Sequence, residues 1–256
     1  MKQIIADLKA EQESLDEFIS TLNDSQWDLP TPAEGWTIRD SITHIGYGDK
    51  ISDAILSGDY SSIDEAIKIG PAIVDIWARQ GREMKISQIV DLWRTAREKM
   101  YDRLMKMDPK NKIPWFVLPM GARSFATARL METWAHGLDC YETVGVEPVY
   151  TDRLRHVAMI AFLARPFAYS VNGLEVPKTP IRIELVLPSS KVWSQGPDDA
   201  TDIIRGKASE FCRVAVRRGH WKDTKLEIIG SEAKRFIEIV QTYAGPPGSG
   251  RKSRNR

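Results

Sequence analysis

A chain of 256 residues with 42% hydrophobic and 28% charged residues can bury a substantial core, and it has no apolar run long enough to span a bilayer. Its formal charge of +1 is deceptive, because Arg251, Lys252, Arg254 and Arg256 stand in the last six residues and without those four the body carries −3. A mildly acidic body with no basic stripe disfavours nucleic-acid binding. Two distant cysteines, Cys140 and Cys212, supply no disulfide framework, and the amphipathic start has no signal-peptide cleavage pattern, so a reducing cytoplasm is the expected home.

In chain order, Ile4, Ile5, Leu8, Leu15, Phe18, Ile19 and Leu22 make a helical stripe over residues 2–22, closed by Asn23-Asp24-Ser25. A loop stiffened by Pro30 and Pro32 carries Trp27 and Trp36 as anchors. Thr37, with Asp40 three residues on, predicts a capping box that opens a second helix through Ile38, Ile42, Ile45, Ile51 and Ile55 to Ser57-Gly58. Residues 61–82 read as a helical insertion broken or kinked at Gly70-Pro71. Ser87 is the expected cap of a third long helix, which Asp108-Pro109 ends. After the loop marked by Pro114, Pro119 and Gly121, Ser124 to Val144 forms the fourth. Short connections between such stripes predict a bundle over residues 1–147.

The texture changes after Gly145-Val146-Glu147-Pro148. Asp152 to Ser170 is predicted as one helix, and Ile181 to Leu187 alternates as a half-buried strand. Short strands are expected at Lys191–Ser194, Thr201–Gly206 and Lys225–Ile229, with helices from Ser209 and from Ser231 to Tyr243. Residues 148–245 thus make a small α+β domain, followed by a disordered basic tail at 246–256.

Four histidines can be weighed singly. His156 and His220 lack spaced partners and read as surface or capping residues. His44 lies among the apolar positions of the second helix, where a buried ring needs a partner. Glu132 and His136 are four apart on the fourth helix and so share a face, with Asp139 one turn further. If the second and fourth helices face each other, two imidazoles and a carboxylate form a three-ligand set for a divalent ion, zinc first, with open positions left for water or substrate. Asp40 and Asp139, one turn from His44 and His136, are the expected groups to orient the ligand rings. Arg79, Arg82, Arg123 and Arg129 are candidates to hold an acidic substrate, Arg129 and Arg123 foremost, because a guanidinium suits a carboxylate.

The strings Gly35-Trp36-Thr37-Ile38-Arg39-Asp40 leading to His44, and Ala128-Arg129-Leu130-Met131-Glu132-Thr133-Trp134-Ala135-His136-Gly137, resemble the DinB-like metal-binding bundles. They look closest to the branch typified by mycothiol-dependent maleylpyruvate isomerase, and within it to an uncharacterised metal-binding family of about this length that shares the ending Ala244-Gly245-Pro246-Pro247-Gly248. The resemblance covers essentially the whole chain. It implies an up-down-down-up four-helix bundle, Zn2+ or another divalent ion on His44, Glu132 and His136, and a sterol-carrier-like second domain. It also implies thiol chemistry: the thiolate of a small cosubstrate such as mycothiol adds to an electron-poor double bond, the bond rotates, and the thiol leaves, or the adduct is released as in an S-transferase. The insertion at 61–82 departs from the pattern, and Arg217 and Arg218 are the candidates for the second-domain groups that touch substrate.

The implied partner is a small molecule, with neither nucleic acid nor membrane insertion, and a homodimer is compatible with such a chain. Two other functions compete: a hydrolase or hydratase using metal-bound water on the same ligands, and a non-catalytic carrier of a lipid- or acyl-like ligand.

Overall fold

The computed structural model describes residues 1–116, 119–248 and 250–254. Val117, Leu118, Ser249, Asn255 and Arg256, the last three within the predicted tail, lie outside the described residues. The chain divides into two compact units, Met1–Pro148 and Val149–Arg256.

In the first unit, α1 (Lys2–Ile19) buries Ile4, Ile5, Leu8, Leu15 and Ile19, the apolar stripe read from the sequence. It stops one turn before Leu22, because Asn23 and Gln26 form a capping box that starts a short α2 (Asp24–Trp27). That extra turn carries Trp27 into the core. Thr37 caps α3 (Ile38–Leu56), with Asp40 completing a second capping box. The insertion is two helices, α4 (Ser61–Ile69) and α5 (Ile73–Arg79), followed by a 3-10 turn at Gln80–Glu83. Gly70 separates the two at φ +77°, a left-handed conformation that β-carbon-bearing residues resist.

Helix α6 (Ile86–Met105) begins after Lys85, whose backbone N–H donates to Gln88 Oε1 at 2.8 Å, so Ser87 sits inside the first turn and is not the cap. A two-residue ladder of β1 (Lys112–Ile113) and β2 (Met120–Gly121), too short to be seen in any pattern, leads into α7 (Ala122–Thr143). The four long helices pack on one another: α3 against α6 and α7, and α1 against α7 and α6. Helix α7 is buried on most of its circumference, and its small residues permit that; a Cβ on Gly137 would lie 3.5 Å from the Leu15 side chain. Leu15, Ile38, Ile42, Ile45, Ile89, Trp93 and Cys140 form part of one continuous core cluster.

The second unit opens with α8 (Leu154–Leu163) and α9 (Arg165–Val171), where the sequence predicted one helix. Pro166 is the reason: in a helix interior it removes a backbone bond and clashes one turn back, whereas in a new first turn it is tolerated. Strands β3 (Ile181–Val186), β4 (Val192–Gln195), β5 (Asp202–Lys207) and β6 (Glu227–Ile229) form one sheet in the order β4-β3-β5-β6. The β3–β5 pair is parallel and the other two are antiparallel. Ile181, Ile183 and Leu185 turn inward from β3, as the alternation predicts. Helix α10 (Ala208–Ala215) packs on β3, β5 and α8, and α11 (Ser231–Ile239) packs on β5, β6 and α9.

The α11 N-terminus is fixed by Asp202, whose Oδ1 accepts from Glu232 N at 2.7 Å and Ala233 N at 3.1 Å. Gly230 makes this close approach available: it has φ +90°, and a Cβ there would fall 2.2 Å from Asp202 Oδ1. The helix ends at Ile239, short of the predicted Tyr243, where Val240 turns extended. In the tail, Ser253 Oγ and Arg254 N–H donate to Asp223 at 2.7 and 2.9 Å. Among the described residues, no helix is long and apolar enough to cross a membrane.

Candidate metal centre

The packing of α3 on α7 sets the site. His44 lies almost two turns into α3, where the Thr37 cap fixes the helix start, and Glu132 and His136 follow one turn apart on α7. One donor atom from each of the three falls within 4.8 Å of the others. Glu132 Oε2 is 3.4 Å from His44 Nε2 and 3.6 Å from His136 Nε2. These spacings are long for charge-assisted hydrogen bonds. They match the donor–donor separations of about 3.3–3.6 Å that metal–ligand bonds of about 2.0–2.2 Å impose at a tetrahedral centre. Two imidazole nitrogens and one carboxylate oxygen therefore fit a borderline divalent ion and leave coordination positions open.

The electrostatics suit such a centre. Burial pushes His44 down to about 4, against the pull of Glu132, so at neutral pH its ring is uncharged and has a lone pair to give. Burial pushes the Glu132 carboxyl up, but hydrogen bonding to His136 and His44 and their charge outweigh this and hold it well below the ordinary range. Glu132 is then an anion between two imidazoles. Behind His136, the Asp139 carboxylate lies 3.4 Å from Nδ1, the ring nitrogen remote from Glu132, in the carboxylate–histidine arrangement that orients metal ligands.

Asp40, expected to serve His44 in the same way, is engaged elsewhere. Its two oxygens accept from Arg82 Nε at 2.9 Å, Arg82 Nη2 at 2.7 Å and the Thr37 backbone at 2.9 Å. The helix cap and the insertion have claimed it. Trp36 packs against His44, with centroids 5.0 Å apart, and the same indole lies 5.3 Å from His136 at an interplanar angle of 20°.

Arg129 also departs from its sequence role as an anion holder. It is buried, its Nε donates to Asp49 Oδ1 at 2.9 Å, and its Nη2 donates to Ile45 O at 3.2 Å. Asp49 Oδ2 in turn accepts from Gln12 Nε2 at 2.6 Å and Trp93 Nε1 at 3.0 Å. Arg82 is committed to Asp40 and to Gly35 O, and Arg79 lies 4.0 Å from Asp75. Arg123 is exposed on the first turn of α7 and makes no ion pair among the described residues. In the second unit, Arg217 and Arg218 donate to the carbonyls of Glu238 and Val216. His220 caps a 3-10 turn through Nδ1, which accepts from Lys222 N at 3.1 Å. Cys140 and Cys212 are buried free thiols, both pushed up by burial.

Three contributors went unread in the sequence. Asp49 had a signal: it falls four residues after Ile45, on the apolar stripe of α3, where a lone carboxylate demands a cation. Trp36 stands in the sequence as a loop anchor and within the Gly35-to-Asp40 string, with nothing to show that its ring meets both imidazoles. Asp75, its partner, sits in the insertion with nothing local to mark it.

The family model for the mycothiol maleylpyruvate isomerase N-terminal domain matches residues 8–141. The chain belongs to that family. Two uncharacterised proteins of Mycobacterium tuberculosis, from strains CDC 1551 / Oshkosh and H37Rv, are each 37% identical to this chain over 250 residues. The match spans 96% of this chain and 97% of theirs. The fold is shared with the crystal structure of the mycothiol-dependent maleylpyruvate isomerase, at a TM-score of 0.59 and 15% identity over 85% of this chain and 89% of that one. A single-site variant of that enzyme gives a TM-score of 0.62 at 13% identity, over 96% of this chain and 95% of the other.

Proposed function

We propose that this protein is a divalent-metal-dependent enzyme that activates a low-molecular-weight thiol, mycothiol by family, to isomerise an electrophilic small molecule or to add that thiol to it through sulfur. The observation that carries the proposal is the convergence of His44, Glu132 and His136 from two helices in a chain of the mycothiol isomerase family. The first unit is read as a DinB-like up-down-down-up four-helix bundle and the second as a sterol-carrier-like module, with the cytoplasm as the place of action.

When bound by the three ligands, a divalent ion, Zn2+ by its donor set, supplies the charge that keeps a thiol deprotonated near neutral pH. The protein's own groups do the rest. Neutral His44 and anionic Glu132 present lone pairs without needing to lose a proton at pH 7. With the ion bound, Asp139 would accept from the Nδ1–H of His136, which leaves the Nε2 lone pair for the ion. Trp36 covers both rings and keeps water off that side. Arg129 ties α7 to α3 through Asp49 and the Ile45 carbonyl rather than holding an anion. Arg123 lies nine residues before Glu132, about 13 Å along the helix and half a turn around it, so the helix geometry turns it away from the three ligands.

The test is to incubate the purified protein, loaded with Zn2+ or Co2+, with a panel of small thiols and an electrophilic alkene such as a cis-dienoic keto acid. Thiol-dependent turnover and a thiolate-to-cobalt absorption band are expected. If thiol changes neither the turnover nor the spectrum, the thiol chemistry is refuted, and turnover without thiol would assign a hydrolase or hydratase instead.

A further inference from the structure

The insertion between α3 and α6 is fastened to α3 and to the loop that precedes it at several points. The 3-10 turn presses on α3 so closely that a Cβ on Gly81 would fall 1.9 Å from Thr43 Oγ1, beside His44. Arg82, on the same turn, grips Asp40 with two donors and donates to Gly35 O at 3.2 Å, just before Trp36. From α5, Asp75 Oδ1 accepts the Trp36 indole Nε1–H at 2.7 Å. The indole so held is the one that faces both ligand imidazoles, whose own centroids are 4.7 Å apart.

A histidine ring turns easily about its outer torsion, because that sp³–sp² rotation is broad and roughly two-fold. His136 has Asp139 behind it to fix the ring. Among the described residues, the hydrogen bonding of the His44 ring is confined to Nε2 and Glu132. Its remaining ring contacts are with Trp36 and His136. Trp36 is thus one of the groups that bound the tilt of the His44 ring, and its indole N–H is held by a hydrogen bond to the insertion.

We propose that Asp75 is a positioning residue for the metal centre: through its hydrogen bond to Trp36, the insertion at 61–83 fixes the orientation of the ligand ring of His44 and with it the geometry of the bound ion. The proposal rests on the metal reading above. It makes the insertion, which the sequence treats as a departure from the family pattern, a working part of the site. Asp75 touches neither the ion nor the substrate.

The experiment measures Zn2+ affinity by competition with a chromophoric chelator, together with the visible spectrum of the Co2+ form, on the full-length protein. Asp75→Ala should weaken Zn2+ binding about tenfold, the lower end of what outer groups contribute at metal sites, and should change the Co2+ bands. Asp75→Asn, whose amide oxygen still accepts from the indole, should stay close to wild type in both readouts. Trp36→Phe keeps an aromatic face but loses the N–H, so combining it with Asp75→Ala should add nothing further. A residue that merely held the insertion in place would lower the melting temperature of Asp75→Ala and leave the Co2+ spectrum unchanged. That outcome, wild-type affinity in Asp75→Ala, or additive losses in the double variant would overturn the proposal. If Asp75→Ala does not fold, the Trp36→Phe and Asp75→Asn spectra decide: alike, they refute it. Failure of the wild type to bind Zn2+ at all would overturn the metal reading and this inference together.

Discussion

Residues of the proposed site divide into those that would face the ion and those that would support them, and the two groups are expected to fail differently when altered. Removing the Asp139 carboxylate leaves all three ligands in place but frees the tautomer of His136. Asp139→Ala is therefore expected to weaken Zn2+ binding about 10–100-fold, read by chelator competition, while the protein stays folded. Arg129 and Asp49 behave otherwise. They form a buried pair, and deleting one partner strands a charge in the interior. Arg129→Ala should cost about 3–5 kcal/mol of unfolding free energy, measured by urea denaturation, whereas a substrate-binding arginine would mainly raise KM. The sequence placed Glu132, His136 and Asp139 on one face because their spacing is local. It could not assign Arg129, whose partner lies 80 residues away, nor Asp40, whose capping geometry was legible but whose second partner, Arg82, comes from the insertion.

At the scale of elements, the insertion is closely fitted to α3. Gly81 has ordinary backbone angles, so Gly81→Ala is opposed by space alone: the new methyl meets Thr43 Oγ1 and the turn must move off α3. A loss of about 1–3 kcal/mol is expected for such overpacking, and a melting temperature equal to wild type would contradict the fit. A second element-level joint ties α1 to α6, where Asp16 accepts from Arg94 at 2.7 Å and from Arg97 at 2.6 Å. Burial pushes the Asp16 carboxyl up, but the two guanidinium groups outweigh it and hold it below its ordinary value of 3.8. A group lowered in the folded state stabilises fully above the unfolded value and loses that contribution as pH falls through it. Stability should thus fall as the pH drops below about 4, and Asp16→Asn should show a lower plateau near neutrality with a shallower acid limb. Amphipathic stripes made the long helices readable. The short α2, the β1–β2 ladder and the break at Pro166 were not, because each is decided by a cap, a pairing or one missing N–H rather than by periodicity.

For the molecule as a whole, a metal that binds only the folded chain must stabilise it by mass action. Zn2+ at about one hundred times its dissociation constant adds about 2.7 kcal/mol, so the melting temperature of the wild type should rise with Zn2+ and that of Glu132→Ala should not. The two-unit organisation was visible as a change of texture near Pro148, since helical stripes and strand alternation have different periods. The reaction was not visible at that scale, because a fold hosts many chemistries and the site alone selects one. The central claim is that His44, Glu132 and His136 together hold a divalent ion. Elemental analysis of the purified wild type beside His44→Ala, Glu132→Ala and His136→Ala tests it most directly. The account predicts near-stoichiometric metal in the wild type and its loss in each folded variant; full retention in any one of them, or a wild type that stays metal-free after Zn2+ is supplied, would contradict it.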